Sequence, residues 1–209
     1  QDFWNYQGLS GSYVGFITGN YENMWATQYL GDSVYFSSNN GLSWIRHGNI
    51  SSDTSNHFIT SILFLRDSIL FTTSVGIGIN SDGIYKSTNG GINWYSSGNG
   101  IINKKVWEIC SDVNGNLFAG TIDGIYKSTN DGTDWIKLNN SPDSINVENI
   151  VIVSDSEIIV AGSNDVLFKS TNYGQTWNNI NNGINHSSFS SLILTTGSYL
   201  FLGTDGGIY

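Results

Sequence analysis

The chain has 209 residues, with eight lysine and arginine residues against seventeen aspartate and glutamate residues, and a net charge of −9. No basic cluster exists beyond Lys104-Lys105, so we expect neither nucleic acid nor an anionic membrane surface as a partner, because both are bound through clustered Lys and Arg. No apolar run reaches the roughly 18 residues that a membrane-spanning helix needs. We therefore expect no membrane insertion.

Composition narrows the class of protein further. Charged residues make up only 12% of the chain and aromatic residues 13%, which argues against disorder, because disordered chains have few aromatics and high charge. A chain rich in Gly, Asn, Ser and Thr is typical of β-rich extracellular proteins. The chain starts at Gln1 without a signal peptide, and we expect a secreted or cell-surface protein from which a targeting segment was removed.

Strand patterns follow one another in chain order. The first unit contains "YVGFIT", "NMWATQ", "VYFSS" and "LSWIR". The second carries an insertion at 74–83, "SVGIGINSDG", and the third contains "KVWEICS", "NLFAGT", "IYKS" and "DWIKL". The fourth, from "ENIVIV" to "TWNNI", repeats the plan. Cys110, the single cysteine, lies in an apolar run and is predicted to be a buried, inert thiol.

One motif closes each unit: "SSNNGLSW" (37–44), "STNGGINW" (87–94), "STNDGTDW" (128–135) and "STNYGQTW" (170–177). Its tryptophans are spaced by 50, 41 and 42 residues. We call this motif the staple. Its Asn is expected to accept from a backbone N–H two residues on, its Gly to supply a positive φ, and its Trp to cover the turn. The staple is thus interpreted as a structural turn.

Four short strands per unit without helical periodicity predict an all-β protein, a β-propeller with four-stranded blades. The predicted repeats are 5–44, 45–94, 95–135, 136–177 and 178–209 plus 1–4, within a single domain of residues 1–209. Residues 203–209 match the end of a third strand, and residues 1–9, with Trp4, match a fourth. We therefore predict five blades, closed by pairing of the N-terminal strand with the C-terminal blade. An arc of a larger propeller is the alternative.

The motif Ser-x-Asn-x-Gly-x-x-Trp resembles the Asp-box, or BNR repeat, of sialidases, xyloglucanase-type glycosidases, sortilin-type receptors and photosystem II assembly factors. Asn stands at 39, 89, 130 and 172, where that family often has Asp. The resemblance implies the propeller fold, but the family is functionally mixed, so the motif selects no activity.

The residues of this chain argue against the enzymatic activities of the similar families. The sialidases of this family hold the substrate carboxylate with three arginines, whereas this chain has two, Arg46 and Arg66. Xyloglucanase-type enzymes use paired carboxylates between two propellers, and one small propeller lacks that cleft. We predict no enzymatic activity, and a polysaccharide-acting glycosidase-like fragment remains an alternative.

Carboxylates recur at one position of the repeat, five residues before the staple serine or nearly so: Asp32, Asp82, Asp123, Asp165 and Asp205. All are assigned to the turn between the second and third strands. They are interpreted either as turn-initiating residues or as an acidic ring that attracts a cation or a cationic partner.

Cofactor and metal sites are poorly supported. The three histidines, at 47, 57 and 186, have no ligand spacing, and "DVNGN" (112–116) is followed by Leu117 where a calcium loop requires Gly. "GIGIN" (76–80) lacks the context of a dinucleotide loop. We expect no cofactor, and the sequence leaves metal binding unknown.

A recognition surface is the remaining candidate site. Trp107 and Glu108 fall at the start of a predicted innermost strand, near the mouth of a central channel. The loop "HGNISSDTSNHF", which includes His57, and the loop "NNINNGINHSSF" are polar and aromatic, as sugar-binding loops often are. The predicted function is a secreted, non-catalytic binding or scaffold module for a glycan or an extracellular protein. A structural subunit of an extracellular assembly is a further alternative, and the oligomeric state is left open.

Overall fold

The computed structural model describes residues 13–20, 22–29, 31–50, 57–76, 83–102, 105–142, 145–185, 188–195, 197 and 199–209. These residues form nineteen β-strands and no helix, so the described part of the chain contains no helix that could cross a membrane. The chain divides into two compact units, residues 1–97 and 98–209.

The first unit contains two four-stranded antiparallel sheets, each with its strands in sequence order. The first sheet consists of β1 (Val14–Gly19), β2 (Met24–Gln28), β3 (Ser33–Ser37) and β4 (Ile45–Asn49). The second consists of β5 (His57–Arg66), β6 (Ile69–Gly76), β7 (Gly83–Ser87) and β8 (Tyr95–Ser96).

The second unit contains three antiparallel sheets, again in sequence order. The third sheet consists of β9 (Val106–Ser111), β10 (Leu117–Thr121), β11 (Gly124–Ser128) and β12 (Ile136–Lys137). The fourth consists of β13 (Val147–Ile152), β14 (Ile158–Gly162), β15 (Val166–Ser170) and β16 (Asn178–Asn179). The fifth consists of β17 (Ser191–Leu194), β18 (Leu200–Thr204) and β19 (Gly207–Ile208).

The fold is a five-blade, all-β propeller, which confirms the predicted fold class. The fifth sheet has three strands among the described residues. Residues 1–12, with Trp4, lie outside the described residues, so the closure by an N-terminal strand stays a prediction. The single-domain organisation stays a prediction as well.

Each staple is a closed hydrogen-bonded turn. In the third blade the Ser128 hydroxyl donates to the side-chain oxygen of Asn130 at 2.9 Å and accepts the buried Gly132 N–H at 3.0 Å. The Asn130 oxygen accepts the N–H of Asp134 at 3.0 Å, and the Trp135 indole donates to the Gly132 carbonyl at 3.2 Å. The Asn therefore accepts from four residues on, and the expectation of two was wrong, because the Ser hydroxyl meets the nearer N–H groups.

The cores lie between consecutive sheets of a unit. In the first unit, Trp25 of β2 and Leu70 of β6 belong to one cluster. In the second unit, Phe118 of β10 shares a cluster with Ile150 of β13. All five residues of β10 are buried, because a middle strand is covered on both faces.

Candidate functional site

The first strands of four sheets carry a β-bulge near their start. At each bulge, one residue of the first strand has no pairing partner in the second strand. These residues are Gly15, Thr60, Trp107 and Glu148 in the first to fourth sheets. Bulges are common next to binding sites, where they redirect a side chain. Gly15 offers no side chain, and the Thr60 hydroxyl hydrogen-bonds that of Thr73 at 2.8 Å. Trp107 and Glu148 are therefore the bulge residues with side chains suited to recognition.

The strands that carry these two residues pack against each other within the second unit. Glu108 Oε2 of β9 accepts the N–H of Ile150 in β13 at 3.1 Å. Gly120 of β10 also abuts β13, since a Cβ at Gly120 would lie 2.5 Å from the carbonyl oxygen of Val147. Trp107 precedes Glu108, and Glu148 follows Val147, so both bulges lie at this contact.

Glu108 is a linker between blades in this geometry. Burial raises the pKa of its carboxyl to about 7, and the hydrogen bond from Ile150 opposes that shift in part. A carboxyl with such a pKa is partly protonated near neutral pH. Glu108 was predicted as a ligand-binding residue, and that role stays a prediction, with one of its oxygens already bonded to β13.

Trp107 is half-buried at the second position of β9. Its indole nitrogen is fully buried and has no hydrogen-bond partner among the described residues. A buried donor without an acceptor costs about 1–3 kcal/mol. Trp107 thus holds a buried indole N–H without an acceptor among the described residues, and its role as a contact residue stays a prediction.

Glu148 is a candidate that the sequence interpretation missed. Burial raises the pKa of its carboxyl, and the negative charge of Asp165 raises it further. Asp165 lies in the β14–β15 turn with φ of 56°, and one of its carboxylate oxygens accepts the Ser188 N–H at 2.6 Å. An alignment of "VWE" (106–108) with "VEN" (147–149) makes Glu148 the equivalent of Trp107 in the next blade, but nothing in the sequence marks either position as a bulge.

The Asp123 carboxylate forms its hydrogen bonds within its own turn. Its carboxylate accepts the Thr121 hydroxyl at 2.6 Å and the Tyr126 hydroxyl at 3.2 Å. This geometry favours the turn-initiating interpretation at this position, although Asp123 lies at the same end of its sheet as Trp107.

The other predicted contact residues are distributed as follows. Asp32 precedes β3 in the first unit, and its backbone carbonyl accepts the Ile50 N–H at 3.0 Å. His57 begins β5, and Asp82 lies outside the described residues. Asp205 is exposed in the turn between β18 and β19 of the second unit. In the second unit, Glu108 of β9 is bonded to β13 through the Ile150 N–H, and the charge of Asp165 acts on Glu148.

The segment weighed as a calcium loop is a hydrogen-bonded turn. The Asp112 carboxylate accepts the N–H groups of Asn114 and Asn116 at 2.9 and 2.8 Å. Burial acts to raise the pKa of Asp112, but hydrogen bonds from Tyr173 and Asn116 outweigh burial and lower the pKa. Within the described ranges, no three His, Cys, Asp or Glu side chains are grouped as metal ligands.

Cys110 and the two arginines have structural positions. Burial raises the pKa of the Cys110 thiol well above its usual range, and the charges of Glu108 and Asp112 add to this effect. The thiol is therefore a poor nucleophile. Arg46 lies in the outer strand β4, where it donates to Asn49 at 2.8 Å, and Arg66 ends β5.

Comparison with known proteins supports the fold. The chain is similar to a structure of YCF48 bound to D1 peptide, with TM-score 0.69 and 16% identity over 93% of this chain and 62% of that one. It is similar to PorZ of Porphyromonas gingivalis, with TM-score 0.73 and 15% identity over 99% of this chain and 34% of that one. It is also similar to an ancestral GH74 enzyme, with TM-score 0.69 and 18% identity over 92% and 29%.

At these identities the likeness shows the fold alone, and it confirms the Asp-box propeller resemblance at that level. The chain spans less than two thirds of the length of each of these three structures. No protein-family model matches the chain, and no curated protein matches it either.

Proposed function

We propose that this protein is a secreted, non-catalytic binding module whose ligand, a protein segment or a glycan, is held where β9 and β13 begin. The observation that carries the proposal is Trp107, a half-buried aromatic residue at a β-bulge whose buried indole N–H has no hydrogen-bond partner among the described residues. Aromatic residues with a free donor are frequent anchors in recognition sites.

The structural neighbours support a recognition role on this fold. One of them is YCF48 in complex with a D1 peptide, and another, PorZ, is a bacterial surface component of a type-IX secretion system. A propeller of this kind thus accommodates a peptide ligand in one case and works at a cell surface in another. Secretion is further supported by the polar, weakly charged composition.

A glycosidase-like role is the second candidate. The observation that favours it is that burial and the charge of Asp165 both raise the pKa of the Glu148 carboxyl, as expected for the acid of a carboxyl pair. Its test is release of saccharide from xyloglucan or from sialylated substrates. Hydrolysis that disappears in Glu148→Gln or Asp165→Asn would overturn the non-catalytic proposal.

The binding proposal is tested by titrating glycans and peptides into the full chain while following tryptophan fluorescence and heat of binding. We expect a ligand whose affinity falls in Trp107→Ala. The matched control is Trp44→Ala, which removes a staple tryptophan from the first unit. If Trp107→Ala folds as the native chain does and binds with unchanged affinity, the site lies elsewhere.

A further inference from the structure

The third blade has a small groove along its edge strand β12. The groove has a volume of about 230 Å³ and is lined by side chains of β11, of the staple and of β12: Lys127, Thr129, Asn130, Asp134, Ile136 and Leu138. We call it the outer groove. Pockets for drug-sized ligands usually enclose about 300–1,000 Å³, so the outer groove suits a smaller molecule. It shares no residue with the site proposed at β9 and β13.

The wall of the outer groove is aliphatic. Leu138 is held from the fourth blade, because a Cβ at Gly174 would lie 2.8 Å from Leu138 Cδ1, whereas Ile136 is 75% exposed. The third blade is the one stapled blade with two aliphatic residues at these positions. The equivalent pairs in the first, second and fourth blades are Ile45 and His47, Tyr95 and Ser97, and Asn178 and Ile180.

Lys127 supplies a positive charge without an ionic partner. Its ammonium lies 4.2 Å from the centroid of the Tyr173 ring, and this cation–π contact fixes its position at the groove. It forms no ion pair among the described residues. The equivalent lysine of the fourth blade, Lys169, pairs with Glu157 at 2.7 Å. The third blade therefore has a cation at this position that an added anion can pair with.

Asp134 supplies a negative charge to the same groove. Its carboxylate accepts the side-chain amides of Asn99 at 2.6 Å and of Asn130 at 3.0 Å, and it too forms no ion pair among the described residues. A carboxylate has about four acceptor sites, so two amide donors leave room for a third donor. The outer groove thus combines one cation, one anion and two aliphatic side chains.

We propose that the outer groove binds a free aliphatic α-amino acid, such as leucine, isoleucine or valine. Its carboxylate pairs with Lys127, its ammonium donates to Asp134, and its side chain packs on Ile136 and Leu138. A fatty acid would satisfy Lys127 alone and an aliphatic amine Asp134 alone, whereas a residue within a peptide carries neither charge. This small-molecule site is additional to the proposed binding function at β9 and β13.

The test compares leucine with three analogues that each lack one of its groups. These are 4-methylpentanoate without the ammonium, 3-methylbutylamine without the carboxylate, and glycine without the side chain. Each is titrated into the full chain labelled at isoleucine methyl groups, and the chemical shift of the Ile136 methyl reports binding. We expect leucine to bind at least about tenfold more tightly than each analogue, since each lacks a charge-assisted or apolar contact.

Matched variants locate the effect. Lys127→Met, which keeps an aliphatic stem, should weaken leucine binding about tenfold. Lys137→Met is its control, because it removes the same charge one residue from Ile136, while the Lys137 side chain lies over Gly124. Ile136→Ser should weaken binding as well, and Ile45→Ser, at the equivalent exposed position of the first blade, should leave the affinity unchanged.

The contrary outcomes are distinct. Equal affinity for leucine and 4-methylpentanoate would exclude recognition of the ammonium and overturn the proposal. Wild-type affinity in a folded Lys127→Met variant, or in Ile136→Ser if Lys127→Met does not fold, would overturn it as well. A titration with leucine that leaves the Ile136 methyl unmoved would do the same. None of these results bears on the binding function tested with Trp107→Ala.

Discussion

At the scale of single residues, the staples explain why this chain uses Asn where Asp is common in similar turns. The Asn side-chain amide donates to the residue four positions on: from Asn39 to Ser43 at 2.9 Å, from Asn130 to Asp134 at 3.0 Å and from Asn172 to Thr176 at 2.8 Å. Asp can accept the same backbone N–H, but it cannot donate. The residue four positions on therefore decides whether Asp is tolerated.

We expect Asn130→Asp to be more destabilising than Asn172→Asp. At 130 the new carboxylate would face Asp134 without a donor between them, whereas at 172 the Thr176 hydroxyl can reverse its role and donate. The expected cost at 130 is about 1 kcal/mol, with a smaller one at 172. Urea unfolding of the two variants and the native chain measures the difference. Equal losses, or a larger loss at 172, would contradict this account.

Glu108 predicts a specific dependence of stability on pH. Its pKa is raised from 4.5 to about 7 in the folded chain, so its contribution to stability is fully present below about pH 4.5 and is lost as pH rises to about 7. We expect Glu108→Gln, which keeps an acceptor for Ile150, to abolish this loss of about 3 kcal/mol. The measurement is the difference in unfolding free energy between native chain and variant from pH 4.5 to 8.

The same substitution at the exposed Glu22 is the control for removing one carboxyl from the surface. A difference between the native chain and Glu108→Gln that stays constant over this pH range would show that Glu108 is ionised throughout.

Trp107 and Glu148 show which parts of the candidate site could be predicted from the sequence and which could not. The sequence pointed to Trp107 because it falls at the start of a predicted innermost strand, and in the structure it is the bulge residue of β9. Glu148 carried no such signal, since its neighbourhood depends on the packing of β13 against β9 and on the turn that holds Asp165. Candidate residues could be recognised from their type in the sequence, but contacts between strands that are far apart in the chain could not be predicted from it.

At the scale of secondary-structure elements, Tyr173 joins the third and fourth blades. Its hydroxyl donates to the Asp112 carboxylate and accepts from Asn116 at 3.2 Å. Its ring packs edge-on against Phe118, with centroids 5.5 Å apart, and lies 4.2 Å from the Lys127 ammonium. A staple residue of one blade thus completes the hairpin turn of the preceding blade.

We expect Tyr173→Phe to reduce stability by about 1–2 kcal/mol near neutral pH, because the Asp112 carboxylate loses its hydroxyl partner. The lowered pKa of Asp112 means that this contribution is present above about pH 3.8 and is lost as pH falls further. The cost should therefore shrink in acid. Tyr199→Phe, at a side chain that is 69% exposed, is the control. A cost that is independent of pH would rule out Asp112 as the cause.

The elements themselves were largely predictable. The recurring staple located the third strand and the turn of four blades, because its Ser, Asn, Gly and Trp each have one local task. The outer strands β8, β12 and β16 are only two residues long, shorter than the apolar patterns predicted. The length of an edge strand depends on how far it pairs with its single neighbouring strand. The apolar pattern of the edge strand itself does not show where that pairing ends.

At the scale of the whole molecule, charge and exposed apolar side chains act against each other. The net charge of −9 at pH 7 keeps chains apart. Isoleucines on outer strands are nonetheless exposed: Ile45 by 60% and Ile136 by 75%. Apolar atoms normally form much of a protein surface, and repulsion between negatively charged chains at neutral pH opposes their association.

We therefore expect solubility to be lowest near pH 4.4, the isoelectric point, because association is favoured when the net charge approaches zero. Absorbance of the supernatant after centrifugation from pH 3 to pH 8 measures this directly. Near-ultraviolet circular dichroism of the seven tryptophans distinguishes precipitation of folded chain from acid unfolding. Added salt should promote association at pH 7, where it screens repulsion over about 10 Å at 0.1 M, and should have little effect near pH 4.4. A solubility minimum at neutral pH would show that local apolar contacts, rather than net charge, control association of this protein.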